Sequence, residues 1–413
     1  MILFRNTSEV LTLAPAMKKA GRHIQEEDLG IHTKAAFIAD KGKILWLGSI
    51  NKIPRSLASK VKKEVDLQKS TVLPGFIECH THSLFAGDRS AEFEMRNNGI
   101  SYQEIAARGG GILSTVRATR SSSPAKLLSS TQKRVDLFIQ QGVTTLEVKS
   151  GYALNLKDEF KMLSVAQKLK GPHVVPTFLG AHALAPEFKN TSDYIAYLIS
   201  EVLPALQKRK LAERIDIFIE KGFFSPEDGA RLFRAAKNFG FKNFVVHADQ
   251  LTLSGGTALG LEYQALSVDH VLKIDSNLIQ KLAQSETTAV LLPAADLYMK
   301  VPYPPARQLI DSGARVTLAT DFNPGTSPTQ SLDLVGLLAR LEMKMTLPEV
   351  IGAYTVGASF ALGLQNTIGS LEPQKSADFL CIDEDWRQLF YSVGKPLVQQ
   401  VFREGKSLYT ANK

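Results

Sequence analysis

Two histidines one residue apart, His80 and His82 in "IECHTHSLFAGDR" at residues 77–89, are the first candidates for chemistry. They follow the apolar run "TVLPGF", which reads as a strand, and strand side chains alternate between faces. Both imidazoles therefore point the same way, with Thr81 opposite. Protonated, the pair would repel; neutral, it can share a metal ion. A chance pair on a solvated edge strand is the plain alternative. Further along, "LGAHA", "HADQ", "VDH" and "ATDFNPG" place His182, His247, His270 and Asp321 at the ends of later apolar runs. His23, His32 and His173 lie elsewhere, the last at a strand start. Each residue alone reads as a satisfied core or surface group. Five of eight histidines and an aspartate on strand ends together read as a site.

The elements that must position them alternate regularly. Eight short apolar or β-branched runs are strand candidates: "TVLPGFIECHTH", "VTTLEVKSGY", "VVPTFLGAHA", "RIDIFIE", "NFVVHADQ", "ALSVDHV", "TTAVLLPAA" and "RVTLATDFNPG". Amphipathic stretches separate them. "SPAKLLSSTQKRVDLFIQQG" and "SPEDGARLFRAAKNFG" each open on Ser-Pro and close on Gly, which are helix start and stop signals. Strands alternating with helices over this length predict an α/β fold, a (β/α)8 barrel. Its chemistry should sit at the carboxyl ends of the strands. The ends of the chain break the pattern. "AAFIADKGKILWLGS" carries a hairpin signal at Lys41-Gly42-Lys43, and "SADFLCIDED" with "VQQVFREGKSLY" is strand-like around a Gly turn. Residues 1–70 and 371–413 are expected to pair as a small β-sandwich beside a barrel of residues 71–370.

Composition narrows the class. A chain of 413 residues can bury about three quarters of its unfolded surface, so a large core is available. The net charge of +8 raises nucleic acid as a partner, but the cations are scattered through helical stretches such as "KLLSSTQKR" and "LQKRKLAER". No aromatic-interleaved basic stripe accompanies them, so a solvated surface is the reading. No apolar run is long enough for a membrane span, and "MILFRNTSEV" does not read as a signal peptide. Two cysteines are too few for a disulfide framework, and Cys79 should face away from His80 as a buried thiol. The expectation is a cytoplasmic protein, a homodimer, with a small-molecule substrate and no nucleic-acid or membrane partner.

The His-x-His after the first strand, the later histidines and the eighth-strand aspartate resemble the amidohydrolase superfamily. The closing "TIGSLEPQKSADFLCID" is similar to that superfamily's return into its β domain. More closely, "HTHSLFAGDRSAEFEMR", "ARGGGI", "EVKSGYAL", "LGAHA", "HADQL", "VDH" and "ATDFNPGTSP" resemble the imidazolonepropionase family in order and spacing. The resemblance is dense from about residue 70 to 370.

That resemblance implies hydrolysis of the ring amide of 4-imidazolone-5-propanoate to N-formimidoyl-L-glutamate, the third step of L-histidine degradation. A metal ion would lower the pKa of a water from about 16 toward 7. It implies one ion per subunit, divalent or ferric, zinc or iron, on His80, His82, His247 and Asp321. Lys149 as a bridging carbamylated lysine is the minor alternative. Asp321 would double as the base, His270 would orient the water, and His182 would meet the substrate carbonyl. Either of these two histidines could instead hold a ligand in place. Arg89 would grip the propanoate, with Tyr152, Gln250, Asn323, Gly325 and Thr326 completing the substrate contacts. The family has Cys where this chain has Phe322, a change that bears on pocket shape. The glycines at 109–111 lack the strand and lysine of a phosphate loop; a lid near Tyr102 is the better reading. Rival readings are an aromatic-ring deaminase, a dihydroorotase-like hydrolase, or a non-catalytic barrel. Such deaminases carry a Glu three residues after the fifth-strand histidine, where this chain has Gln250.

Overall fold

The computed structural model describes residues 1–100, 104 and 109–411. Eight parallel strands form one sheet in chain order. They are β1 (Phe76–Glu78), β2 (Val143–Lys149), β3 (His173–Ala181), β4 (Arg214–Ile219), β5 (Asn243–Ala248), β6 (Ser267–His270), β7 (Thr288–Leu291) and β8 (Val316–Leu318). Just beyond β1 and β8, Thr81 and Phe322 form a parallel bridge, and His82 N donates to the Phe322 carbonyl at 2.9 Å. That contact brings the first strand to the last, and the sheet closes into the expected barrel.

The start signals act as read. Helix Pro124–Gln140 is capped by Ser123, whose side chain accepts from Lys126 N, and its stripe of Leu127, Thr131, Val135 and Phe138 is buried. Helix Pro226–Asn238 has a reciprocal capping box between Ser225 and Asp228. Both use Pro in the first turn, where a missing N–H costs nothing.

The first predicted strand needs correction, because it is two strands in two sheets. Thr71–Pro74 pairs antiparallel with Phe379–Ile382 and parallel with Glu9–Leu11, while β1 begins at Phe76 in the barrel. Gly75 is the break. A Cβ there would lie 2.2 Å from Thr144 Oγ1, so only glycine lets the chain pass that close to β2. His80 and His82 consequently lie past the strand end.

Both termini share the six-stranded sheet, which adds Ile31–Thr33, Val398–Arg403 and Lys406–Thr410 to those strands. A second sheet of Ile2–Arg5, Ala35–Asp40, Lys43–Ser49 and Lys63–Asp66 packs against it. Phe4 and Phe37 stack at 4.9 Å, Phe379 and Phe402 at 4.5 Å, and the two pairs meet edge-on between the sheets. Among the described residues, no helix is long and apolar enough to cross a membrane.

Candidate active site

The carboxyl ends of the barrel strands bring His80, His82 and His247 together. One ring nitrogen from each lies within 4.8 Å of the others, an arrangement that could hold a metal ion. His82 Nε2 and His247 Nε2 are 3.4 Å apart. Asp321 Oδ1 stands 3.4 Å from His80 Nε2 and 3.5 Å from His82 Nε2. Although they lie past β1, His80 and His82 keep strand-like alternation: Thr81 turns the other way and donates from Oγ1 to the Glu147 carbonyl at 2.7 Å. Asp321 adopts a left-handed backbone, φ 51°, as it turns off β8.

These residues fit a cation. Burial holds the His80 and His82 rings well below the usual imidazolium range, so their lone pairs are free. His80 Nε2 has no hydrogen-bond partner among the described residues. Burial also pushes the Asp321 carboxyl up to about 7, outweighing the opposite pull of the nearby His247 and Lys149. The far sides of two rings are already engaged: His80 Nδ1 lies 2.6 Å from Asp269 Oδ2, and His247 Nδ1 lies 3.1 Å from Asp216 Oδ1. A carboxylate there keeps the proton on Nδ1 and presents Nε2 to the centre. The carbamylated reading of Lys149 fails. Its amine is paired with Glu147 and Asp216 at 2.8 and 2.9 Å, and a carbamate would add negative charge to theirs.

Except for His80 and Gly325, every predicted site residue lines one cavity of about 460 Å³ above this centre. A larger cleft of about 1000 Å³ on the terminal sheets, beside Arg5 and Asp385, contains no histidine. Arg89 is buried. Its Nε donates to Thr115 Oγ1 at 3.0 Å, and its Nη2 has no partner among the described residues. Gly325 packs under this guanidinium, where a Cβ would lie 2.2 Å from Arg89 Nη1. Tyr152 sits with its ring 5.7 Å from that of His82. The loop carrying it is held by buried Glu159, which accepts from the N–H groups of Gly151, Ala153 and Leu154.

His182 corrects an expectation. Its Nδ1 lies 3.0 Å from the Gly151 carbonyl, which can only accept, so Nδ1 carries the hydrogen. Burial lowers its pKa to about 3, keeping the ring neutral with an acceptor lone pair on Nε2. Such a ring offers the cavity an acceptor, where the sequence reading expects it to meet a substrate carbonyl. His270 has φ 80°, a left-handed twist that turns it into the cavity although its neighbour Asp269 already faces inward. Asn323 spends its amide on its own loop: Oδ1 accepts from Gly325 N and Thr326 N at 2.8 Å, and Nδ2 donates to the Asp321 carbonyl at 2.7 Å. Phe322 packs between Phe85 and Phe138, at 5.9 and 6.1 Å, and is not part of the cavity wall.

Comparison with known proteins now bears on this geometry. Residues 238–408 match the model of the Amidohydrolase family. An imidazolonepropionase of Bdellovibrio bacteriovorus is 60% identical over 409 residues, 99% of this chain and 96% of its own. The chain belongs to the imidazolonepropionase family. An imidazolonepropionase of Acinetobacter baumannii is 43% identical over 380 residues, 91% of this chain and 94% of that one. Among solved structures, a zinc-bound adenosine deaminase from Xanthomonas campestris aligns with 98% of this chain and 92% of its own. Its TM-score is 0.70 at 16% identity, a likeness of fold alone.

Sequence reading of this family member missed part of the site. Arg96, Ile112, Phe218, Met299 and Val301 also line the cavity. Phe218 lies in β4 and the others in helices or loops, and nothing in their local sequence separates them from ordinary residues of those elements. Asp216 did carry a signal, a carboxylate set between Ile215 and Ile217 in a buried strand, whereas Asp269 lies in the polar run Ser267–His270 and stands out less. Tyr102, the expected lid residue, lies outside the described residues.

Proposed function

We propose that this protein hydrolyses the ring amide of 4-imidazolone-5-propanoate to N-formimidoyl-L-glutamate. The observation that carries the reading is one cavity that joins a centre of three histidines and an aspartate to a buried guanidinium whose Nη2 has no partner among the described residues, His80 lying just beneath the cavity wall. His80, His82, His247 and Asp321 would hold one divalent or ferric ion, zinc or iron, which when bound supplies a water activated near neutral pH. Arg89 grips the propanoate and fixes which end of the substrate enters first. His182 Nε2 accepts from a ring N–H. Tyr152, Gln250 and Thr326 close around the ring, and Gly325 gives Arg89 room. His270 orients the attacking water. Asp321 takes the water's proton through its second oxygen and returns it to the ring nitrogen as the C–N bond breaks. We place the enzyme in the cytoplasm as a homodimer; sedimentation at a monomer mass would correct the assembly.

Arg89→Lys tests the carboxylate site. Lysine keeps the charge but loses the two-pronged geometry, so kcat/KM should fall tenfold or more, about 1.4 kcal/mol. Unchanged kinetics would move the carboxylate elsewhere.

The deaminase alternative fails on its acid. Gln250 cannot deliver a proton near neutral pH. The neighbouring Asp249 is turned away and caps the next helix: Oδ1 accepts from Ser254 N and Gly255 N at 2.7 and 2.9 Å, and Oδ2 from Thr257 N at 2.9 Å. The imidazolone's ultraviolet absorbance should therefore disappear without ammonia release. Ammonia from guanine, adenine or cytosine at comparable kcat/KM would establish the deaminase reading instead.

A further inference from the structure

Behind the histidines lies a cation that the reaction does not consume. Lys149, the last residue of β2, points into the barrel and is fully buried. Its Nζ stands 2.8 Å from Glu147 Oε1, 2.9 Å from Asp216 Oδ2 and 4.0 Å from Asp269 Oδ2. Two of those carboxylates reach forward as well, Asp216 to His247 Nδ1 at 3.1 Å and Asp269 to His80 Nδ1 at 2.6 Å. One ammonium ion on β2 is thus tied through carboxylates on β4 and β6 to histidines on β5 and after β1.

We propose that Lys149 is a positioning residue that locks the Asp216–His247 and Asp269–His80 pairs into one arrangement and thereby sets how tightly the site binds its metal ion. The inference rests on the ligand set proposed above. An ammonium group donates and cannot accept; here it donates to Glu147 Oε1, and its charge stands 2.9 Å from Asp216 Oδ2 and 4.0 Å from Asp269 Oδ2. Without it, three carboxylates buried in one barrel core repel one another and lose their common anchor. Each is then free to rotate away from the ring it steadies. Asp216 is the clearest case, because its two oxygens are divided between Lys149 and His247. A histidine whose Nδ1 partner wanders no longer aims Nε2 at the centre, and partners of that kind are worth roughly 10–100-fold in metal affinity. A lysine serving only the fold would change stability and leave the affinity of the folded protein alone.

The test measures the zinc dissociation constant of the full chain by competition with a fluorescent chelator. Lys149→Met, checked for folding by circular dichroism, should bind zinc roughly 10–100-fold more weakly than wild type. Should that variant fail to fold, Glu147→Gln/Lys149→Met removes one negative charge together with the positive one and carries the same expectation. Wild-type affinity in whichever variant folds overturns the proposal. Asp216→Asn adds a second arm. Because Lys149 acts through Asp216, the double variant should lose less than the product of the two single losses, and fully multiplicative losses also overturn the proposal. Failure of the underlying ligand reading is distinguishable, since His247→Ala would then keep normal zinc affinity.

Discussion

His247→Ala is expected to lose its metal ion, falling from about one ion per chain to near zero by elemental analysis. The variant removes one of three nitrogens that lie within 4.8 Å of one another, leaving two histidines and a carboxylate. That is a larger change than loss of a supporting group, which itself costs roughly 10–100-fold in affinity. The fold should survive, because Asp216, the partner left behind, keeps its ion pair to Lys149 at 2.9 Å. Activity should drop about a thousandfold or more, within the range that loss of an activated water allows. A second readout is independent of turnover. A ligand that binds only the folded state raises Tm with its concentration. Wild-type Tm should therefore rise with added zinc, and the variant's should not. Full metal retention with normal activity would remove His247 from the site.

Much of this arrangement was legible because a barrel ties function to strand ends. Once eight apolar runs alternate with capped helices, the carboxyl end of each run is a known place, and His182, His247, His270 and Asp321 fall there without knowledge of any contact. Alternation alone misleads at Asp249: two residues past His247 it would share that inward face, and its left-handed backbone, φ 51°, breaks the pattern. Nor could alternation say that the carboxylate caps the following helix, because that depends on how the chain bends after β5. "TVLPGFIECHTH" shows where pattern stops. Its apolar character is continuous, yet the chain changes sheets at Gly75 because of a close approach to Thr144, a residue far away in sequence. Hydrogen-bond allocation was equally hidden. That Asn323 is saturated by its own loop, and that Gly151 fixes the hydrogen on His182 Nδ1, are facts of three-dimensional neighbours. Lys149 was visible as a charge in a buried strand, but its partners come from β4 and β6.

Asp321→Asn should reduce kcat by about two to four orders of magnitude while most of the metal stays bound. Asparagine matches the shape of aspartate, and both tolerate a left-handed backbone, so φ 51° at this position adds little strain. An alanine would confound the result with backbone strain and an empty space. The amide oxygen can still approach His80 and His82, whose nitrogens lie 3.4 and 3.5 Å from Oδ1, and three histidines remain to hold the ion. What the amide cannot do is accept a proton and give it back. Ring opening needs both events: the attacking water must lose a proton, and the departing ring nitrogen must gain one. Asp216 and Asp269 are occupied behind the histidines, Asp249 faces away, and buried Asp296, whose oxygens have no partner among the described residues, does not line the cavity. KM should change little if, as proposed, Arg89 and not Asp321 holds the propanoate. The measurement is kcat, KM and metal content on the same preparation. If kcat stays within tenfold of wild type with the ion in place, Asp321 is not the base, and the proton must travel by way of His270 or His182.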